Sequence, residues 1–283
     1  MVLLIESGSS KTDWCLIDGD TVVDRTSTIG LNPYFVDAEK IAAVVLSEGL
    51  PFFKGIYTVQ EIYFYGAGCS AQKMCDIVKD GLSIHFPKAS IHVHSDMIAA
   101  ARALCGNGPG FVAILGTGSN SCAYKDGKII EQFPSLGFIL GDEGSGSDLG
   151  KKILKAYCYN ELKPELMLAF EKKYLISVDI ILEAIYKKPL PNRFIASFVP
   201  FILENPDESF HRIVEESFDA FLNQHIKKFR ALNTDTPFYA TGSVAWVFRD
   251  ILKVRLKNSG LTEGSIIQSP LEGLIKYHSK SSG

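Results

Sequence analysis

The 29 lysines and arginines of this 283-residue chain do not outnumber its 32 aspartates and glutamates. The net charge of −3 and an isoelectric point near 6.1 leave no basic field, so neither nucleic acid nor an anionic membrane surface is an expected partner. Cysteine is sparse and scattered, with six residues at 15, 69, 75, 105, 122 and 158 and no CxxC pair. That spacing argues against a zinc or iron–sulfur centre and more strongly against a disulfide framework. No window approaches the ~18 uninterrupted apolar residues of a membrane span. The opening MVLLIESGSSK has neither the basic region nor the apolar length of a secretory leader. These absences set the expectation of a soluble, reduced, cytoplasmic protein. The string GSSKT at 8–12 lacks the spacing of a GxxxxGK[ST] loop, and His92 and His94 share a strand face without a third metal ligand.

What is present is ordinary globular composition, 46% hydrophobic and 22% charged, in a chain long enough for two cores. The stretch GFVAILGTGSN at 110–120 organises the reading. Phe111 to Leu115 form a continuous apolar run, as in a strand buried on both faces. It ends in Gly116-Thr117-Gly118-Ser119-Asn120, which suits a turn that brings backbone N–H groups close to an anion. An ordinary glycine-rich hairpin turn is the plainer alternative. A second copy decides between them. Val2 to Ile5 runs into Glu6-Ser7-Gly8-Ser9-Ser10-Lys11-Thr12, and each turn is followed by a strand, an Asp-Gly hairpin and another strand. Gly8 and Gly116, Asp18 and Asp126, and Gly19 and Gly127 are each displaced by 108. Two such turns suit a nucleotide triphosphate held from two sides.

Along the chain, Asp37 caps an expected helix to about Leu46, and Ser70 caps a second helix after the strand Ile62–Tyr65. Ile91–His94 alternates as a strand, and Ser95-Asp96 opens a helix to about Leu104. Residues 105–110 form a breaker-rich boundary. The second half repeats the three-strand opening and then carries GDEGS at 141–145. A helix follows from about Asp148 to Asn160. Helical periodicity continues to Arg230, punctuated by proline. Pro237–Thr241 and Ile266-Ile267 read as strands, with a helix containing Trp246, Val247 and Ile251 between them and a last helix from Pro270. The expected architecture is two α/β domains, 1–107 and 108–269. A helical insertion spans about 150–230, and the helix 270–283 returns to the first domain. A cleft between similar domains is the usual ligand site.

Asp96 stands at a strand end on the first turn of a helix. It is either the helix cap or a general base that takes a hydroxyl proton during phosphoryl transfer. Asp142 and Glu143, packed between glycines, form either a charged turn or acceptors for neighbouring sugar hydroxyls, and Asn32 could do the same. Glu6 is either a solvent-facing strand end or a carboxylate that holds Mg²⁺ through water. Lys11 and Thr12 offer a cation and a hydroxyl near phosphate.

ESGSSKT, the SD at a helix start, GTGSN, GDEGSG and ATGSV occur in one order from Glu6 to Val244, and together they resemble the N-acetylglucosamine kinase family. That family is similar to the BadF/BadG/BcrA/BcrD-type ATPases, within the superfamily of hexokinase, acetate kinase and actin. The closing SPLEGLIKYH matches its last helix. The resemblance implies duplicated ribonuclease-H-like domains closing on substrate, with ATP and Mg²⁺ as cofactors. Gly8, Ser9, Ser10, Lys11 and Thr12 would hold β- and γ-phosphates, with Gly116, Thr117 and Gly118 on the other side and Gly242, Ser243 and Val244 against the adenosine. Asp96 would be the base toward a sugar 6-hydroxyl, Asn32, Asn120, Asp142 and Glu143 would bind the sugar, and Glu6 would serve the metal. The chain departs from the family in having Glu6 where Asp is usual, and Leu136 where eukaryotic members carry Trp near the acetamido group. Glucosamine and N-acetylmuramic acid therefore stay open beside N-acetylglucosamine, and so does a homodimer. The alternatives are an ATPase that activates a partner enzyme and a catalytically silent sugar- or nucleotide-binding protein.

Overall fold

The computed structural model describes residues 1–8, 11–53, 59–233 and 235–279. Ser9 and Ser10, expected in the first phosphate turn, lie outside the described residues, as do 280–283 of the expected last helix. The chain divides into two compact units, Met1–Gly108 with the segment from Ser269 onward, and Pro109–Gln268.

Unit 1 runs β1 (Val2–Ser7), β2 (Lys11–Asp18), β3 (Thr21–Ile29), α1 (Ala38–Val44), β4 (Glu61–Gly66), α2 (Gln72–Ser83), β5 (Ser90–Ser95) and α3 (Asp96–Cys105). Its sheet has the order β3-β2-β1-β4-β5, with β2 antiparallel to both neighbours and β1, β4 and β5 parallel. Leu3, Leu4 and Ile5 are fully buried because helices cover both faces. Leu3 and Ile5 pack with Ile41, Val44, Val78 and Leu82 of α1 and α2, whereas Leu4 packs with Ala99 of α3.

Unit 2 begins with β6 (Gly110–Leu115), β7 (Ser119–Lys125), β8 (Lys128–Gln132) and the short α4 (Gly137–Leu140). The helices α5 (Gly146–Cys158), α6 (Pro164–Tyr174), α7 (Val178–Tyr186), α8 (Pro191–Ala196), α9 (Val199–Glu204) and α10 (Glu208–Gln224) follow. Next come β9 (Phe238–Thr241), α11 (Ser243–Val247), α12 (Arg249–Asn258) and β10 (Glu263–Ile267). The sheet order β10-β9-β6-β7-β8 is that of unit 1, strand for strand, with the same directions. The duplication expected from the glycine turns is therefore a duplication of the whole ribonuclease-H-like sheet.

The register of the repeat needs a correction. The β1–β2 ladder closes at Ser7–Thr12 and the β6–β7 ladder at Leu115–Ser119, so the first turn is one residue longer. The displacement of 108 holds up to Gly8 and Gly116, but the hairpins beyond are displaced by 107, since Asp18–Thr21 matches Lys125–Lys128. Gly19-Asp20 thus corresponds to Asp126-Gly127. The second pair has positive φ at both residues (51° and 77°), the first at Gly19 alone (57°), so Gly–X and Asp–Gly solve the same turn differently. Three helix limits also differ from expectation. Ser70 does not cap α2, whose N-cap is Ala71 without a side-chain bond. α5 starts two residues early at Gly146 with Ser145 as its cap, and the helix expected around Trp246 breaks at Phe248 into α11 and α12.

After β10 the chain forms α13 (Leu271–Ser279), which belongs to unit 1. Leu271, Leu274 and Ile275 join Leu4, Cys15, Ile17 and Tyr65, and Gly273 lets the helix lie on Ala103, whose carbonyl oxygen would be 2.5 Å from an added Cβ. Arg25 pairs with Glu272. Arg102 donates to the Tyr65 hydroxyl at 2.8 Å, and that hydroxyl is hydrogen-bonded to His278 Nε2 at 2.7 Å. Burial first, then the Arg102 charge, pushes the His278 and His94 imidazoles down to about 4.

These two histidines make the fold acid-sensitive. Folding excludes their protons, so stability is complete above the unfolded imidazole value near ~6.5 and is lost as the pH falls from there toward 4. Melts followed by circular dichroism across this window should show a falling Tm. His278→Leu should flatten the fall, and an unchanged slope in that variant would remove His278 as the cause.

Candidate active site

Ser7, Gly66 and Ser95 are level at the carboxyl ends of β1, β4 and β5, the edge where open α/β sheets hold ligands. At this edge Leu31 N–H donates to Ser7 Oγ (2.9 Å), Ser7 Oγ meets Thr12 Oγ1 (2.8 Å), and Thr12 Oγ1 donates to the Ile29 carbonyl (2.8 Å). The relay seats the loop bearing Asn32 against the first glycine turn, which is closed by Gly8 N–H to the Lys11 carbonyl at 2.9 Å. Thr12 is fully buried, and its hydroxyl is engaged in the relay, which braces the turn. Asn32 is buried, and its Oδ1 accepts the Tyr34 N–H at 3.0 Å.

Asp96 is the first residue of α3, and the cap is Ser95, whose side chain accepts Ile98 N–H at 3.4 Å. Asp96 is thus not needed as the cap. Burial raises its carboxyl to about 6, against two backbone N–H groups that favour the anion. Glu6 is raised to about 7, first by burial, then by the charges of Asp13 and Asp96, with Lys11 opposing. Lys11 Nζ lies 2.7 Å from Asp13, which also accepts from Ser27 at 2.6 Å. Among the described residues no three Asp, Glu, His or Cys side chains converge to hold a metal ion.

In unit 2 the second turn is fixed by a helix. Gly146 N–H donates to the Gly116 carbonyl (2.8 Å), and Ser147 N–H (2.9 Å) and Oγ (2.6 Å) donate to the Thr117 carbonyl. Both carbonyls therefore point at the N-terminus of α5. The C=O and N–H of a trans peptide point in opposite directions, so the Thr117 and Gly118 amides face away from the helix. Outward amides beside a helix N-terminus are suited to an anion. A cavity of about 220 Å³ opens beside the turn, and Gly116, Thr117, Ser243 and Val244 from the expected set all line it. Its remaining wall is apolar, with Ala196, Val199, Pro200 and Leu203 from α8 and α9, and Val247 and Phe248 at the end of α11. Gly150 sets that wall, since a Cβ there would stand 2.0 Å from the Ile195 carbonyl.

Asp142 is buried with φ of 63° and accepts the Ser119 N–H at 3.2 Å. Its carboxyl lies against Gly118, where an added Cβ would be 2.9 Å from Oδ2. Burial raises its pKa, while the Ser119 N–H and the Lys151 charge pull it back. Glu143 meets His225 Nε2 at 3.4 Å. Asn120 Oδ1 accepts from Ser121 N–H (2.9 Å) and Gln132 Nε2 (3.1 Å).

The expected residues thus gather in each unit. Glu6, Gly8, Lys11, Asn32 and Asp96 cluster at the strand ends of unit 1. Gly116, Thr117, Ser243 and Val244 share one pocket in unit 2, with Gly118 completing the turn, Asp142 and Glu143 on the neighbouring loop and Gly242 behind the turn. Sequence reasoning missed Ser7, Ser147 and the slot wall from α8 and α9. The wall residues carry no signal beyond helical apolarity.

Two ribonuclease-H-like sheets, each with a glycine turn at the carboxyl edge of its parallel strands, define the fold of actin- and hexokinase-like ATPases. No protein-family profile and no curated protein sequence matches the chain. Among solved structures, a protein of Porphyromonas gingivalis to which N-acetylglucosamine kinase activity is ascribed is 39% identical over 100% of both chains, with a TM-score of 0.94. The chain belongs to the N-acetylglucosamine kinase family. A Chromobacterium violaceum protein with the same ascription (16% identity, 98% of each chain, TM-score 0.72) shares the fold. So does a ROK family glucokinase of Streptomyces griseus solved with glucose and AMPPNP (14% identity, 100% of this chain and 99% of that one, TM-score 0.56).

Gly116 in the turn and Gly242 behind it have opposite mutational signatures. Gly242 has φ of 111°, and a Cβ would meet the Leu115 carbonyl oxygen at 2.4 Å; nothing lies within 4 Å of a Cβ on Gly116. Gly242→Ala should cost roughly 2–4 kcal/mol and lower Tm by several degrees. Gly116→Ala should leave Tm within about a degree. Equal melting of the two variants would contradict this geometry.

Proposed function

We propose that this chain is an ATP-dependent kinase that transfers the γ-phosphoryl group to the 6-hydroxyl of an amino sugar of the N-acetylglucosamine type. The observation that carries the reading is Asp96, a partly buried carboxylate just past a strand end, released from capping by Ser95 and raised only to about 6. At neutral pH it is ionised and can accept the proton of an attacking hydroxyl. The O–H bond breaks toward Asp96, the sugar oxygen bonds to phosphorus, and ADP leaves. Family membership at 39% identity over the full chain supports the same class of reaction.

In this reading the Thr117 and Gly118 amides hold phosphate, as does the turn that includes Gly8, Ser9, Ser10 and Lys11. The apolar slot beside Gly242, Ser243 and Val244 takes the adenosine. Asn32, Asn120, Asp142 and Glu143 accept sugar hydroxyls, and Lys11 offers positive charge at the phosphate end. Glu6, crowded by Asp13 and Asp96, suits a magnesium ion carried in on the phosphates and reached through water, because no three-ligand protein cage stands among the described residues. When bound, that ion would neutralise charge on the phosphates.

A coupled ADP-release assay over glucosamine, N-acetylglucosamine, N-acetylmannosamine, N-acetylmuramic acid and glucose tests the reading, and silence with every sugar would overturn it. Asp96→Asn should lower kcat by about 10²–10⁴ with KM for ATP little changed. The wild-type rate should fall as pH drops through about 6, since the base must be ionised. Gly116→Val should weaken ATP binding by placing a branched side chain in the open space over the turn; an unchanged ATP titration would remove the phosphate role of this turn.

A further inference from the structure

Helix α10 presents Ser217, Phe221 and His225 four residues apart, His225 being its C-cap. All three meet the loop 141–145. Ser217 Oγ accepts the Gly144 N–H at 3.1 Å and donates to Asp148 at 2.5 Å. Phe221 packs so close to Gly144 that an added Cβ would be 2.9 Å from its own Cβ, at a φ of 77°. His225 stacks on Phe221 with ring centroids 5.0 Å apart and reaches Glu143 at 3.4 Å. A carboxylate can only accept, so the imidazole N–H donates. The side chains of His225 and Glu143 are 16% and 28% exposed, which leaves Glu143 accessible to a ligand while its partner is mostly covered.

We infer that His225 is a positioning residue for sugar recognition: stacked on Phe221, it fixes the carboxylate of Glu143 beside that of Asp142, so that the two present one preformed acceptor pair to neighbouring hydroxyls. The inference rests on the reading of Asp142 and Glu143 as sugar acceptors under the proposed function. Asp142 needs no such help, because its backbone and the Ser119 N–H already hold it. Glu143 has a longer, freer side chain, and ordering it at the moment of binding would subtract from affinity. The stripe on α10 removes that loss in advance. It also ties sugar affinity to a helix that supplies none of the residues assigned to phosphate or proton transfer.

The test uses the full chain and whichever amino sugar gives ADP release in the wild type. His225→Leu should raise KM for that sugar roughly tenfold, with kcat and KM for ATP within about twofold. His225→Gln, which keeps an N–H donor, should recover most of the loss. Glu143→Gln combined with His225→Leu should be no worse in sugar KM than Glu143→Gln alone, because the histidine acts only through that carboxylate. A sugar KM within twofold of wild type in His225→Leu overturns the inference while leaving the kinase reading intact. Equal effects on sugar and ATP, or additive losses in the double variant, also overturn it, and the second outcome reads through Glu143 even if one single variant folds poorly. A wild type that phosphorylates no amino sugar overturns the proposed function and this inference with it.

Discussion

Two amide-to-carbonyl contacts hold the second half of this protein in a usable shape. The first backbone N–H groups of α5 would be orphans of helix geometry, and they are satisfied by the carbonyls of Gly116 and Thr117. One set of bonds therefore caps a helix and turns the peptide planes of the glycine turn. The side-chain cap Ser145 and the small residues Gly146 and Gly150 let the same helix take α8 against its backbone, which carries the apolar slot wall to the turn. Shifting α5 would move the slot and the amides together.

Unit 1 solves the equivalent problem without a helix. Ser7 and Thr12 sit in a buried hydroxyl relay between Leu31 and Ile29, and the relay ties the turn to the loop of Asn32. A buried hydroxyl left unpaired costs about 1–3 kcal/mol, so each member of the relay depends on the next. The two halves share strand order and direction yet stiffen their turns by different chemistry. The carboxylates differ as well. In unit 1 the charges of Asp13 and Asp96 add to burial in raising the proton affinity of Glu6, whereas in unit 2 the Ser119 N–H and the Lys151 charge oppose the effect of burial on Asp142.

Much of this was legible in the residues. Apolar runs ending in glycine marked β1 and β6, and the repeated hairpin pattern gave away the doubled sheet before any contact was known. Asp37 was readable as a cap and accepts Lys40 N–H at 2.8 Å. The competition between Ser95 and Asp96 for the cap of α3 was not readable, because both are good caps and only the geometry shows that Ser95 takes the bond. The one-residue slip between hairpins was hidden because Asp-Gly recurs in both, although the turn residues are Gly19-Asp20 in one and Asp126-Gly127 in the other. The α10 stripe was invisible for a different reason: Ser217, Phe221 and His225 read as an ordinary helix face, and their importance arises from a loop some seventy residues earlier in the chain.

The return of α13 to the first sheet has a consequence for biosynthesis. Leu4, Cys15, Ile17 and Tyr65 leave the ribosome early, but Leu271, Leu274 and Ile275, which cover them, follow only after all of unit 2. At ~5–20 residues per second the nascent first sheet waits roughly 8–30 s with one greasy flank incompletely shielded. Throughout that interval it is an open invitation to a chaperone or to a neighbouring nascent chain, and the arrival of α13 is what closes it.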